Sequence, residues 1–213
     1  MTNLIKKNPV LLAIDIQKGF YDEDYWGGNI SNKNIESISS NLINKWRELN
    51  LKIIHVKHSS TDPNSKLHPS NQGHEFCDLT KPIKDEIVIT KNVNSAFIGT
   101  NLKEILDKDK HEAVIIIGLT TDHCISSTAR MSGNYGYETY VVSDATATFD
   151  KKSLDGDHYS SGLVHTISLL SLDNEFAQII DCKNLIKKIF ATNFNNLLII
   201  YAKDIIITTP KRT

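Results

Sequence analysis

Along the chain, short uninterrupted apolar runs alternate with longer stretches in which apolar residues recur every three or four positions. The run 10–14, "VLLAI", has no polar alternation, which marks a strand covered on both faces. Further strands are predicted at 52–56, 87–90, 113–117 and 139–142, with a weaker one near 177–180. After Ser31, read as a helix-capping residue, Ile35, Ile38, Leu42, Ile43, Trp46 and Leu49 fall on one helical stripe. Helical segments at 101–106, 124–132 and 159–172 separate the later strands. This alternation predicts right-handed βαβ crossovers and an α/β fold. The expected architecture is a doubly wound, mostly parallel six-stranded sheet with helices on both faces.

Such a sheet is a Rossmann-like three-layer sandwich, yet "AIDIQKGF" after the first strand lacks the G-x-G-x-x-G of a dinucleotide-binding turn. Two regions break the pattern. From His58 to Lys84 runs a polar stretch with Pro63, Pro69 and Pro82, longer than most connections and of the length used by lids and binding loops. After about Leu185 no further βα unit is recognisable, so residues 1–188 are assigned to one domain and 189–213 to a C-terminal extension.

Composition narrows the function classes. The 24 Lys and Arg against 25 Asp and Glu give a net charge of −1, with no basic field for nucleic acid. The longest uncharged stretches fall short of a membrane span, and the apolar block at 8–14 is too short for a secretory signal, so a cytoplasmic location is expected. Cys77, Cys124 and Cys182 form no pair at redox or zinc-site spacing, and each thiol stands alone.

In open parallel sheets the ligand lies beyond the carboxyl ends of the strands. Asp15 follows "VLLAI", Lys91 follows "EIVIT", and Cys124 follows "AVIIIGLTTDH" where a helix should begin. An acid, a base and a thiol would thus converge on one edge. A helix N-terminus and a nearby ammonium lower a cysteine's pKa, making Cys124 the expected nucleophile. Asp15 would take the thiol proton and return it to a leaving nitrogen, while Lys91 holds the anionic sulfur. His123, adjacent to the cysteine, faces elsewhere and is read as helix-start or pocket wall. His55, His58, His68 and His74, with Asp62, match no compact metal motif. Phe20, Trp26 and Phe97 lie close in sequence to the reactive positions and are expected to wall a substrate pocket, with residues 59–81 as its movable rim.

These segments resemble the isochorismatase-like cysteine hydrolases, the superfamily of nicotinamidases, carbamoylsarcosine-type amidohydrolases and isochorismatases. "LLAIDIQKGF" is similar to the first strand with its catalytic aspartate, "ITKNVNSAFIGTNL" to the lysine segment, and "IIIGLTTDHCISSTAR" with "GYETYVVSDATAT" to the nucleophile segment. The resemblance implies catalytic Asp15, Lys91 and Cys124. It also implies a cis Leu119–Thr120 peptide, with the Thr120 and Cys124 amides forming an oxyanion hole. It implies a homo-oligomer, a dimer or tetramer, acting on a small molecule without a cofactor. Nicotinamidases hold a metal through an Asp-x-His after the second strand; here His58 and Ser60 occupy those places, so no metal is expected. Hydrolysis of a small amide through a thioester leads, beside isochorismatase-type vinyl-ether hydrolysis, a nicotinamidase-like metal-assisted amidase, and a non-catalytic homologue.

Overall fold

A computed structural model describes residues 4–190. Six strands build one sheet: β1 (Val10–Ile14), β2 (Lys52–His58), β3 (Ile87–Lys91), β4 (Ala113–Leu119), β5 (Glu138–Ala147) and β6 (Gln178–Ile180). They lie in the order β3-β2-β1-β4-β5-β6, every neighbouring pair parallel. The five helices that connect and cover them are α1 (Ile35–Glu48), α2 (Leu102–Lys108), α3 (Ser126–Asn134), α4 (Ser161–Leu170) and α5 (Cys182–Phe190). The doubly wound α/β fold expected from the apolar pattern is therefore what the chain forms.

The order in which strands are added reverses between β1 and β4, and this switch point opens a crevice at the carboxyl edge. Both flanking strands are buried along their whole length, which explains their unbroken apolar runs. Leu11 and Ala13 of β1 face α1 and α5 in a layer holding Trp46 and Leu185. Val10, Leu12 and Ile14 face the layer of α2 and α3, with Leu102, Leu106 and Ala129. Gly118 sits beside Ile14 with φ +121, and a Cβ there would lie 1.8 Å from the Ile14 carbonyl oxygen. Only glycine lets the two central strands meet just before the site.

Several boundaries differ from the sequence expectation. Ser31 caps no helix: α1 starts at Ile35, and the Ser31 hydroxyl accepts from the Thr148 amide at 3.0 Å, tying the segment to the end of β5. The first part of 159–172 is a two-residue ribbon, His158–Tyr159 against Lys151–Lys152, and α4 begins only at Ser161, capped by Ser160. Helix α5 runs through the boundary expected at 188 and buries Ile189 in the α1 layer. The remainder of the assigned extension, from 191 on, lies outside the described residues. No helix among the described residues is long and apolar enough to cross a membrane.

Candidate active site

Four chain segments deliver side chains to the crevice. Asp15 immediately follows β1 with φ 53, a left-handed turn that takes the chain off the strand axis while its amide still donates to Val56 O at 2.8 Å. His58 and Lys91 end β2 and β3 and are register partners, so their side chains emerge side by side on one face. Cys124 lies in a π-helical turn, Thr121–Ile125, that links β4 to α3.

The Lys91 ammonium is the hub. Its Nζ lies 2.6 Å from Asp15 Oδ2, 3.2 Å from Cys124 Sγ and 3.2 Å from His58 Nδ1. Three donors thus meet a carboxylate, a sulfur and a ring nitrogen. The side chains of Asp15 and Lys91 are 0% exposed, so the pair depends on this geometry to offset the desolvation of both charges. The other carboxylate oxygen, Asp15 Oδ1, is buried without a hydrogen-bond partner among the described residues. An orphaned carboxylate oxygen beside a thiol is poised to accept a proton.

The thiol itself departs from expectation. Burial first, and then the Asp15 carboxylate, push the Cys124 pKa well above that of a free cysteine, and Lys91 opposes them only partly. The lowered pKa anticipated from a helix start fails because Cys124 sits in the π turn, 8% exposed, before the α-helix begins. At neutral pH Cys124 is therefore a neutral thiol, which would need a base to act as a nucleophile. Burial, then the Lys91 charge, also push His58 below the usual histidine value, with Asp15 opposing, which keeps the ring uncharged at neutral pH.

Behind these groups stands a polar scaffold that spacing alone did not reveal. Gln17 is fully buried: its Oε1 accepts from the His58 amide at 2.8 Å, and its Nε2 donates to the carbonyls of His58 and His74 at 3.0 and 2.9 Å. Thr121 Oγ1 pairs with His165 Nδ1 at 2.8 Å, and the Thr148 hydroxyl donates to Asp122 Oδ1 at 2.5 Å. Thr128 Oγ1 accepts from the Ala96 amide at 3.0 Å. The Leu119–Thr120 peptide is cis.

None of the three rings expected to wall a pocket lines the cleft beside Lys91: Phe20 and Phe97 are core rings, and half-buried Trp26 borders a separate surface cleft with Tyr25, Asp150 and Lys151. Phe20 and Trp26 stack at 4.6 Å and pack with Phe149 in the α1 layer. Phe97 turns toward the far edge of the sheet, against Tyr135 at 5.3 Å and Tyr137 at 6.3 Å. The cleft of about 410 Å³ that borders Lys91 is lined also by Ser59, Ser60, Thr61, His68 and Asn92, while Asp15 and Cys124 lie behind it and do not line it. The first half of the loop anticipated as a rim therefore supplies its wall.

Among the described residues, the one grouping with metal-ligand spacing is Asp15, His58 and Cys124, whose donor atoms all lie within 4.8 Å of one another. The Lys91 ammonium contacts all three donors, so the cation at their centre is lysine and the set does not fit a metal ion. His68 and His74 are not part of that grouping: His68 pairs with Ser70, and His74, on the 3₁₀ turn Gln72–His74, keeps its Nε2 buried without a hydrogen-bond partner among the described residues. His55 pairs instead with Glu86.

The isochorismatase domain model matches residues 9–181, which span every strand and both strand-end charges. The chain belongs to the isochorismatase family. An uncharacterized isochorismatase family protein of Bacillus subtilis, YrdC, is 41% identical over 189 residues, covering 89% of this chain and 100% of its own length. A solved isochorismatase-family hydrolase from Chromobacterium violaceum superposes with a TM-score of 0.82 at 33% identity, covering 86% of this chain and 94% of that one. A shorter match, to nicotinamidase 3 of Arabidopsis thaliana, is 37% identical over 101 residues, 47% of this chain and 45% of the other. The fold and family make the protein a hydrolase.

Proposed function

We propose that this hydrolase cleaves the C–N bond of a small polar amide through a thioester on Cys124, with Asp15 and Lys91 completing the triad. The observation that carries this reading is the buried ammonium of Lys91 bonded at once to Asp15 and Cys124. Cys124 Sγ attacks the amide carbon as its proton passes to Asp15. The oxyanion is received by the Thr120 and Cys124 amides at the β4–π-turn junction, where fixed donors need no reorganisation. Collapse breaks the C–N bond, and Asp15 returns the proton to the departing nitrogen. Water then attacks the thioester, giving its proton to Asp15; the C–S bond breaks and the sulfur is reprotonated.

Lys91 stays charged throughout, offsetting the negative charge that moves between Asp15 and the sulfur. A thiol with a raised pKa suits this scheme, because proton transfer is then coupled to attack rather than completed beforehand. The polar walls of the cleft beside Lys91 favour a polar amide over the partly apolar acyl group expected from the aromatic residues. Amide cleavage is also the activity in the name of the Arabidopsis relative. Vinyl-ether hydrolysis gives no role to a thiol held on both sides by a carboxylate and an ammonium.

The test is a panel of small primary amides, including a pyridine carboxamide, with carbamoyl compounds, esters and a vinyl ether. Each is assayed with wild type and Cys124→Ala. Amide turnover that Cys124→Ala abolishes, with acyl-enzyme trapped on Cys124 in mass spectrometry, is the expected result. Turnover of the vinyl ether alone, unaffected by Cys124→Ala, overturns the reading.

A further inference from the structure

The His58 ring has a place in the site that neither the triad nor the polar scaffold accounts for. It closes β2 directly beside Lys91, and its backbone is held on both sides by Gln17, so the ring is aimed by main-chain contacts and not by its own. Its Nδ1 lies 3.2 Å from Lys91 Nζ. An ammonium has no lone pair, so in this contact it must donate and the ring must accept; Nδ1 is therefore unprotonated and the ring proton is on Nε2. Asp15 and Cys124 take the other two protons of the same ammonium.

We infer that His58 is a positioning residue: it accepts the third Lys91 proton, fixes the ammonium between Asp15 and Cys124, and releases it when the imidazole is itself protonated. The inference deepens the amide-hydrolase reading and rests on it for the link to turnover, while the contact stands without it. The titratable groups that face the ring are Lys91 on β3, Asp15 after β1, Cys124 in the π turn and His74 on its 3₁₀ turn. Of these only Asp15 favours an imidazolium. A protonated ring cannot accept from Lys91, and it sets a second cation against the first. The burial and charge that push His58 below its usual value place this event on the acid side of neutrality.

Two variants and one spectroscopic measurement test this. His58→Asn keeps an acceptor near the position of Nδ1 but cannot titrate; His58→Leu keeps bulk without an acceptor. On the best amide from the panel, wild-type kcat/KM should fall on an acid limb with an apparent pKa below 6.5. His58→Asn should stay within about tenfold of wild type at pH 8 and lose that limb, whereas His58→Leu should lose about a hundredfold at pH 8, as a misplaced catalytic group does, with the deficit shrinking down the acid limb of wild type. Nitrogen-15 spectra of histidine-labelled protein should show the Nε2–H tautomer at position 58, and Lys91→Met should raise the pKa of that ring by removing the facing cation. An acid limb unchanged in His58→Asn, or His58→Leu turning over within about threefold of wild type at pH 8, overturns the inference. So does a ring titration indifferent to Lys91→Met, whatever the enzyme hydrolyses. The Lys91→Met shift in a protein that hydrolyses nothing overturns the amide-hydrolase reading instead, and the turnover role with it. If His58→Leu does not fold, the pH profile of His58→Asn decides.

Discussion

Two clusters in this molecule are built from the same parts, a carboxylate, a cation and a histidine, and only one of them is the reaction site proposed above. At the start of β3, Glu86 takes Arg47 through both oxygens, at 2.8 and 2.9 Å, and also receives His55 Nε2 at 2.8 Å and the Ile83 amide at 2.9 Å. Every strong acceptor position is filled. At the other end of β3, Lys91 meets Asp15, which follows β1, offers one oxygen to Lys91 and keeps the other buried and without a partner among the described residues, with a thiol in reach. The first cluster is stabilised by filling its acceptors; the second leaves one acceptor open, which in the proposed reaction takes the proton in transit. Arg47, planar and permanently charged, suits the saturated site, while the compact ammonium of Lys91 can serve three different acceptors at once.

The comparison breaks most readily at the reserved acceptor. Asp15→Asn removes the base while keeping the volume and the contact to Lys91. Turnover of the best amide should fall by about 10² to 10⁴-fold, the usual contribution of a positioned proton-transfer group. Thermal unfolding and circular dichroism should stay near wild type. A variant that keeps more than about a tenth of wild-type kcat would show that Oδ1 is not the proton acceptor.

How much of this was legible in the sequence follows from the same contrast. Strands buried on both faces leave uninterrupted apolar runs, so β1 and β4 were visible, and Asp15 stood out because a charge has no place inside such a run, whereas Lys91 closes the half-exposed edge strand β3 and stood out only as a charge at a strand end. The partnership of His58 with Lys91 depends on β2–β3 register, a fact of pairing across 33 residues that no local pattern encodes. Phe97 misled because nearness in sequence fixes a Cα but not the direction of the ring, which here runs down between α2 and α3 toward Tyr137. Ser31 misled because its capping-type hydroxyl found a partner in Thr148 on another element. The raised pKa of Cys124 was out of reach for a different reason: a helix start is readable from residues, but the burial that outweighs it is not.

The saturated cluster should respond in stability and not in chemistry. Burial of Glu86 favours its neutral form, but Arg47, the Ile83 amide and His55 outweigh that and hold the carboxyl down to about 2. A carboxylate whose folded pKa lies below its unfolded one stabilises the fold above the unfolded value, near 4.5, and loses that contribution as pH falls toward 2. Glu86→Gln should therefore lower stability by about 2 kcal/mol at pH 7, a drop of roughly 4 to 8 °C in Tm for a chain of this size. The deficit should shrink as the pH is brought down from 4.5. Turnover should stay within about twofold of wild type. Equal losses at pH 7 and at low pH would show that the lost packing, and not the charge, set the effect.

The smallest effect expected is also the most direct comparison of the three thiols. Burial raises Cys77 to about 11 and Cys182 to about 12, and Cys124 is pushed up as well, so ionisation alone would leave all three unreactive at pH 7. Exposure alone would favour Cys182, which is half-buried, over Cys77 and Cys124, at 3% and 8%. Cys182 also has a carboxylate beside it, Asp144, but among the described residues only Cys124 has both a buried carboxylate, Asp15, and an ammonium within hydrogen-bond distance of its sulfur, Lys91 at 3.2 Å. Brief treatment with iodoacetamide followed by peptide mapping should therefore label Cys124 several-fold ahead of the other two. Asp15→Asn should erase that lead while leaving the labelling of Cys77 and Cys182 unchanged. Labelling that follows exposure, with Cys182 first in both proteins, would mean that the reserved oxygen of Asp15 does not activate the thiol, and the distinction between the two clusters would lose its chemical content.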